Sequence, residues 1–383
     1  MKNILITGGA GFIGSNLTRK LVDKGFKVTI LDNLSKQIHS DGQDLYLSVK
    51  DIATFIKGDV RNKSDWKKAL KNQHAVIHLA AETGTGQSMY KISSYTEVNV
   101  LGTAHLLDIL ANETHSVKKI IIASSRSIYG EGKYFCENDG VVYPNQRQDV
   151  CTTKRKFEII CSKCSEPLKL LATDEESKIH PSSIYGITKQ IQEEMILLMG
   201  KTLKIPVVAL RYQNVYGPGQ SLSNPYTGIL SVFSTRLLNG NDIDIYEDGY
   251  QSRDFVFIDD VVNATILALE KKKLNSQIFN VGSGVATSVS EVANLLKSLY
   301  NSNVKISVSG KYRLGDIRHN YADLSNIKDV LGFSPKFDFI SGVTLFVNWV
   351  KKQEVMVDKY EMSMRELQSK GLMIGNDLLK QQQ

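Results

Sequence analysis

A doubly wound α/β fold on a parallel sheet, followed by a smaller C-terminal domain, is what this sequence predicts. Three observations carry the reading. Over the first 130 residues short apolar runs alternate with amphipathic stretches, and a glycine-spaced turn joins the first run to the first amphipathic stretch. The alternation breaks over residues 131–183 and resumes at Tyr185. Strands that are apolar on both faces and separated by helices belong in a parallel sheet covered on both sides. At 42% hydrophobic and 23% charged residues, collagen-like, disordered and low-complexity classes are excluded. The 383 residues suit two domains, or one large core with a satellite.

Ile4 to Thr7 is the first predicted strand, Phe12 to Lys24 the first helix and Lys27 to Leu31 the second strand. There follow Ala53 to Lys57 (strand), Ser64 to Leu70 (helix), Ala75 to Leu79 (strand), Glu97 to Leu110 (helix) and Lys119 to Ser124 (strand). Residues 131–183, with four cysteines, Pro144, Pro167, Pro181 and many charges, read as an insertion. A helix from Tyr185 and a strand at Val207 to Leu210 complete a first domain over 1–212, to which 253–281 is expected to return. Residues 213–350 form the expected second domain, and 351–383 a peripheral, fraying helical tail.

The formal net charge of +7 is scattered, with only short clusters such as Lys154-Arg155-Lys156 and Lys271-Lys272-Lys273, so no nucleic-acid face is expected. No apolar run approaches the ~20 residues that span a bilayer. The apolar N-terminal stretch stops at Thr7-Gly8-Gly9, too short for a secretory core. The expectation is a cytoplasmic protein without a membrane partner.

Gly8-Gly9-Ala10-Gly11-Phe12-Ile13-Gly14 follows a strand and opens a helix. Small residues there let backbone approach a pyrophosphate, whose charge sits at the positive end of the helix. Asp32 ends the second strand, where a carboxylate can hold the ribose hydroxyls of NAD and repel the 2′-phosphate of NADP. Asp59-Val60 and Leu79-Ala80-Ala81 fall at successive strand ends. A plain tight turn and a loop carboxylate are the bland alternatives; their agreement in position favours an NAD site.

Tyr185 and Lys189 stand at i and i+4, on one face of a helix. Neither is a base at neutral pH unaided. Held together beside a cationic nicotinamide, the phenolate is favoured and the tyrosine becomes a usable general base. Ser125, in Ser124-Ser125-Arg126-Ser127-Ile128-Tyr129-Gly130, can bond the substrate oxygen that the tyrosine deprotonates.

At this point the chain resembles the extended short-chain dehydrogenase/reductase family, the NAD-dependent sugar-nucleotide epimerases and dehydratases with a Rossmann-like sheet and a C-terminal substrate-binding domain. The resemblance spans nearly the whole chain. It is carried by Thr7 to Gly14, Asp32-Asn33-Leu34, Gly58-Asp59-Val60-Arg61, His78 to Ala81, Asn99, Ser124 to Gly130, Tyr185 to Lys189, Arg211 to Gly219, Arg253 to Val261 and Arg313 to Asp316. It implies Ser125, Tyr185 and Lys189 as the catalytic trio, Lys189 also holding the nicotinamide ribose and Tyr212 bordering the nicotinamide. Cofactor contacts are implied at Gly8, Gly11, Phe12, Ile13, Gly14, Asp32, Asn33, Asp59, Val60, Leu79, Ala80, Ala81, Asn99 and Ser124. Substrate contacts are implied at Thr83, Ser88, Ser125, Asn214, Asn224, Tyr226, Arg253, Arg313 and Asp316. Asn214, Arg253 and Arg313 would meet the phosphates of a nucleotide-diphosphate sugar, and Asp316 would lie near the nucleoside.

Dehydratases of this family carry Asp-Glu where this chain has Arg126-Ser127, so dehydration is not expected. A 4-epimerase needs only a base and a recycled hydride acceptor. Gly86-Gln87-Ser88-Met89-Tyr90, Asn224 to Gly228, Gly310-Lys311-Tyr312-Arg313 and the insertion resemble those of dTDP-L-rhamnose 4-epimerases. UDP-hexose, UDP-N-acetylhexosamine and UDP-glucuronate 4-epimerases are the alternatives, and a non-catalytic NAD-binding protein a more distant one. The family also implies a homodimer through helices 97–110 and 184–199, although the stripe Ile191, Met195, Ile196, Leu198 and Met199 could equally pack within one subunit.

Cys161-Ser162-Lys163-Cys164 has zinc-knuckle spacing, and Cys136 and Cys151 could complete four thiolates of a structural zinc. Reduced thiols in a surface loop are the alternative.

Overall fold

The structure, a computed structural model, describes residues 1–39, 44–145, 157–226, 228–272, 274 and 276–374. Along the chain come strands β1 (Asn3–Thr7), β2 (Lys27–Asp32), β3 (Thr54–Lys57), β4 (Ala75–His78) and β5 (Lys119–Ser125). The insertion holds three short strands, β6 (Tyr134–Cys136), β7 (Gly140–Val142) and β8 (Lys169–Leu170). They are followed by β9 (Val207–Tyr212), β10 (Asn214–Tyr216), β11 (Ile243–Ile245), β12 (Ser252–Phe257) and β13 (Gln277–Val281). Seven of them form one sheet in the order β13-β9-β5-β4-β1-β2-β3, every pair parallel.

Burial explains why these runs are strands of a doubly covered sheet. In β1, Ile4 and Ile6 face one apolar cluster with Leu17 and Leu21 of helix Phe12–Asp23, while Leu5 faces the other with Trp66 and Leu106. In β5, Ile121 packs in the first cluster and Ile120 and Ile122 in the second. A strand apolar at every position has a core on each side.

Strand order reverses on either side of β1 and β4, and in such sheets ligands bind at the carboxyl ends of strands near that switch. The register brings those ends together: Thr7 pairs with Leu31 and His78, and Ser125 with Tyr212.

The structure differs from expectation in three places. Residues 252–257 do not rejoin the large sheet: β12 pairs with β10 and with Ala286–Ser288, and the chain returns only with helix Ile258–Glu270 and β13. The helix expected from Glu97 begins as a π-helical segment, Thr96–Leu101, before the α-helix Gly102–Asn112. Asn99, fully buried there, spends its amide on the backbone of Glu82; such wide turns concentrate at functional sites. Finally, the tail is not peripheral. Helix Tyr360–Ser369 buries Tyr360, Ser363 and Leu367, and Met373–Ile374 pairs antiparallel with Tyr312–Arg313. Residues 375–383 lie outside the described part. No described helix is long and apolar enough to cross a membrane.

Candidate active site

A cavity of about 580 Å³ opens at the carboxyl edge of the large sheet. Its lining takes in the glycine turn, Ser124 to Ser127, Tyr185 and Lys189 together with Asn214, Asn224, Tyr226, Arg253, Arg313 and Asp316 from the part after β9. Of the residues expected to touch cofactor or substrate, Asp59, Asn99 and Ser88 are not in that lining.

The glycine turn is shaped by close approach. A Cβ on Gly14 would stand 2.2 Å from the carbonyl oxygen of Gly8, and Gly8 itself has φ +67° with Ala80 N 2.9 Å from its would-be Cβ. The helix start therefore lies bare against β1 and the β4 end, a cradle that any side chain would fill. Asp32 is buried, accepting from the amides of Ala10 (3.1 Å) and Leu34 (2.9 Å), so it fixes the turn as well as facing the cavity. Asp59 accepts two hydrogen bonds from the Arg61 guanidinium and one from Asn33 Nδ2 (3.0 Å). Burial works against its charge, but those bonds outweigh it and bring its pKa to about 2. It sets Asn33, which lines the cavity, without lining it itself.

Ser125 ends β5 and caps the next turn, its hydroxyl accepting from Ser127 N (3.1 Å). Tyr185 lies in the first turn of helix Ile184–Leu203, whose N-cap Ser183 accepts from Gly186 N (3.1 Å). Burial raises the phenol's pKa, while a hydrogen bond from Ser125 and the positive charge of Arg126 pull it back. One turn on, Lys189 Nζ donates to Ala123 O and Gln192 Oε1, both at 2.8 Å. Burial lowers its pKa to about 7, opposed by the charge of Glu193.

That lysine ends a buried polar chain absent from the sequence-based expectations. Gln192 Nε2 donates to Thr103 Oγ1 (2.7 Å), and Thr103 donates to Asn99 O (2.6 Å). Thr103 Oγ1 also meets His78 Nε2 (3.1 Å), whose Nδ1 meets Thr7 Oγ1 (2.6 Å). Because the Thr103 proton is committed to Asn99, its oxygen accepts from His78 Nε2–H and leaves Nδ1 to accept from Thr7. Burial, with the charge of Lys189, holds His78 neutral at a pKa of about 3. Asn99 Nδ2 donates to Thr188 Oγ1 (3.0 Å), so it braces the helix that carries Tyr185 and does not itself line the cavity. Glu193, which follows Gln192 on that helix, pairs with buried Arg211, which donates to Tyr129 OH (2.7 Å).

At the other part of the cavity, Arg313 forks onto Asp316 (2.9 and 3.0 Å). Arg253 donates to the carbonyls of Ser252, Ile317 and Arg318. Arg126 joins them: its Nε donates to Asn214 Oδ1 (3.0 Å), and burial, reinforced by the charge of Arg253, lowers its pKa to about 9. Three arginines lining one cavity suit a diphosphate, which takes guanidinium bidentately. Ser88 is fully buried with its hydroxyl spent on Thr85 O (2.6 Å). Tyr226 OH donates to Glu366, and Tyr360 and Met364 from the tail line the cavity. Sequence reasoning missed Arg126, Gln192 and these tail residues; adjacency to Ser125 and to Lys189 was the available signal for the first two.

The model of the NAD dependent epimerase/dehydratase family matches residues 4–166 and 160–282. A dTDP-L-rhamnose 4-epimerase of Burkholderia thailandensis is 36% identical over 354 residues, 92% of this chain and 96% of that protein. The structure of a UDP-glucose 4-epimerase of Thermotoga maritima with UDP-glucose superposes with a TM-score of 0.73 at 30% identity, covering 91% and 99% of the two chains. That of a UDP-glucuronic acid 4-epimerase of Bacillus cereus, in complex with UDP-glucuronic acid and NAD, gives 0.74 at 27%, with the same coverage.

Proposed function

Because the chain belongs to the NAD-dependent epimerase/dehydratase family, we propose that it inverts carbon 4 of dTDP-L-rhamnose to give dTDP-6-deoxy-L-talose. At the coarser level it is an NAD-dependent sugar-nucleotide epimerase, an isomerase. The observation that carries the finer reading is the similarity to the Burkholderia enzyme over nearly its full length. The second reading, a UDP-glucose or UDP-glucuronate substrate, has its support in the two solved neighbours.

The residues present fit NAD: a bare glycine cradle at a helix start and a buried carboxylate at the end of β2. Gly8, Gly11 to Gly14, Asp32, Asn33, Val60, Leu79 to Ala81, Ser124, Lys189 and Tyr212 would hold it. Bound NAD supplies a reversible hydride acceptor beside the sugar. Tyr185 takes the proton of the 4-hydroxyl, the lost hydroxyl proton being held on its phenol oxygen until the oxygen at carbon 4 needs it back. Lys189 lies one helical turn away and contributes positive charge that favours the phenolate. Ser125 hydrogen-bonds the same sugar oxygen. Arg126, Arg253 and Arg313 hold the diphosphate, with Asn224 and Tyr226 over the nucleoside. Arg126 and Ser127 at the place of an acid/base pair leave no carboxylate there for dehydration.

The chain also acts as a homodimer in this reading. Leu101, Ile187, Ile191 and Leu198 are exposed apolar residues on the two helical segments concerned, whereas Ile196 is buried in its own subunit.

Proton NMR of the purified chain with dTDP-L-rhamnose and no added cofactor tests the reading. A second 6-deoxyhexose at equilibrium, abolished by Tyr185→Phe, is the expected result. An unchanged spectrum alongside turnover of UDP-glucose or UDP-glucuronate would overturn the substrate assignment and leave the chemistry standing.

A further inference from the structure

Three of the four cysteines converge although Cys136 stands 25 residues before the knuckle pair Cys161 and Cys164. Cys136 ends β6 at a tight turn into β7, with Cys136 opposite Gly140, and Asp139 sits in that turn. Cys161 and Cys164 flank a second turn, closed by Cys161 N donating to Glu166 O (2.8 Å) and Ser165 N to Cys161 O (2.9 Å). Each turn thus offers two ligand-bearing side chains at i and i+3, a C-x-x-D facing a C-x-x-C.

The side chains interleave between the turns. Cys136 Sγ is 3.4 Å from Cys164 Sγ, and Asp139 Oδ2 is 3.2 Å from Cys161 Sγ and 3.6 Å from Cys136 Sγ. All four ligand atoms lie within 4.8 Å of one another. Bonds of ~2.3 Å to sulfur and ~2.0 Å to oxygen give a tetrahedron with edges of roughly 3.4–3.8 Å, which this constellation approaches without rearrangement of the turns. All three cysteines are free thiols.

We propose that Cys136, Asp139, Cys161 and Cys164 bind one structural zinc ion that closes the insertion. Three thiolates select a soft, tetrahedral cation, and four protein ligands leave no open position for catalysis. On binding, each thiol gives its proton to solvent while the carboxylate binds as the anion. The ion has work to do: β6, β7 and β8 are two or three residues long, and Tyr134, Phe157 and Ile159 are the large apolar side chains buried in the described part of the insertion. So small a core needs a staple. Asp139 takes the place expected for Cys151, which lies outside the described residues.

The test uses the full chain purified under reducing conditions without chelator. Elemental analysis is expected to find one zinc per chain, lost in Cys161→Ser and weakened in competition with a chromogenic chelator in Asp139→Ala, but kept in Cys151→Ser. Should the cysteine variant fail to fold, cobalt exchanged into the wild type gives a second readout: tetrahedral d–d bands with thiolate-to-cobalt charge transfer. Protein that carries no zinc and shows no such bands with cobalt would overturn the site. Zinc lost in Cys151→Ser and kept in Asp139→Ala would overturn Asp139 as the fourth ligand. Neither readout depends on epimerase activity.

Discussion

Gln192 is the residue at which the buried polar chain meets Lys189, and replacing it tests the role proposed for that lysine's charge. Its carboxamide accepts one of the two hydrogen bonds that Lys189 makes, the other going to Ala123 O. Gln192→Leu keeps the helix and the approximate volume but removes a charge-assisted bond worth about 1.5–3 kcal/mol. At about 1.36 kcal/mol per pKa unit, the lysine falls by roughly one to two units. Its pKa in the structure is about 7, so about half of it is ammonium at neutral pH. After the substitution that fraction drops to roughly a tenth to a hundredth. Ammonium is lost as pH rises through the lysine's pKa, so a lower pKa moves the alkaline limb of kcat/KM toward acid. Gln192→Glu adds an anion at the same place and moves the limb the other way. The assay is the pH dependence of kcat/KM for epimerisation, followed by NMR, for wild type and both variants. Limbs that coincide in all three proteins, or shift in the same direction, would refute the role assigned to Lys189's charge.

Two further perturbations reach surfaces that the catalytic trio does not. Ending the chain after Val357 removes Tyr360, Met364, the Glu366 partner of Tyr226 and the Met373–Ile374 strand that pairs with Tyr312 and Arg313. One or two lost hydrogen bonds of about 1 kcal/mol each raise KM for the nucleotide sugar by roughly five- to thirtyfold while bound NAD is retained; an unaltered KM would show that the tail is not part of the site. Charging the exposed apolar stripe with Ile191→Glu and Leu198→Glu should halve the mass measured by sedimentation, and a mass unaffected by both changes would remove the dimer from the reading.

Most of the sheet was legible because its central strands β1, β4, β5 and β9 are buried on both faces, which leaves runs of apolar residues that no helix period explains; the edge strand β3 is only half-buried. The glycine turn was legible for a related reason: a side chain at Gly14 is sterically forbidden, so the sequence records the close approach directly. What could not be read were partners distant in sequence. Ser88 and Asn99 are polar residues at the right places, yet their hydrogen bonds go to Thr85 O and to the Glu82 backbone, and only tertiary structure decides that. Residues 253–257 were read with the first domain because their apolar side chains suit either sheet; the pairing of strand Ser252–Phe257 with Asn214–Tyr216 is a long-range choice.

The insertion and the tail, the two pieces whose sequences suggested appendages, grip the same substrate-side segment from opposite ends. That segment, 312–320, carries Arg313 and Asp316. At its start Tyr312 and Arg313 pair with Ile374 and Met373, and Leu314 N donates to Leu372 O (2.9 Å). At its end the backbone of Arg318 donates to Glu131 (2.6 Å), and the buried Arg318 guanidinium binds Glu247, Asp248 and, from the insertion, Glu158. A guanidinium taken wholly out of water is tolerable only when its donors are met by carboxylates; removing the buried partner Glu247 costs about 3–5 kcal/mol, and the more exposed Glu158 and Asp248 contribute less. Glu158 stands three residues before Cys161, so whatever fixes the cysteine turns also fixes the acid that completes the Arg318 cluster. The arginine–aspartate pair at 313 and 316 is thereby held between two anchors, and its placement in the cavity depends on parts of the chain that contribute no catalytic group.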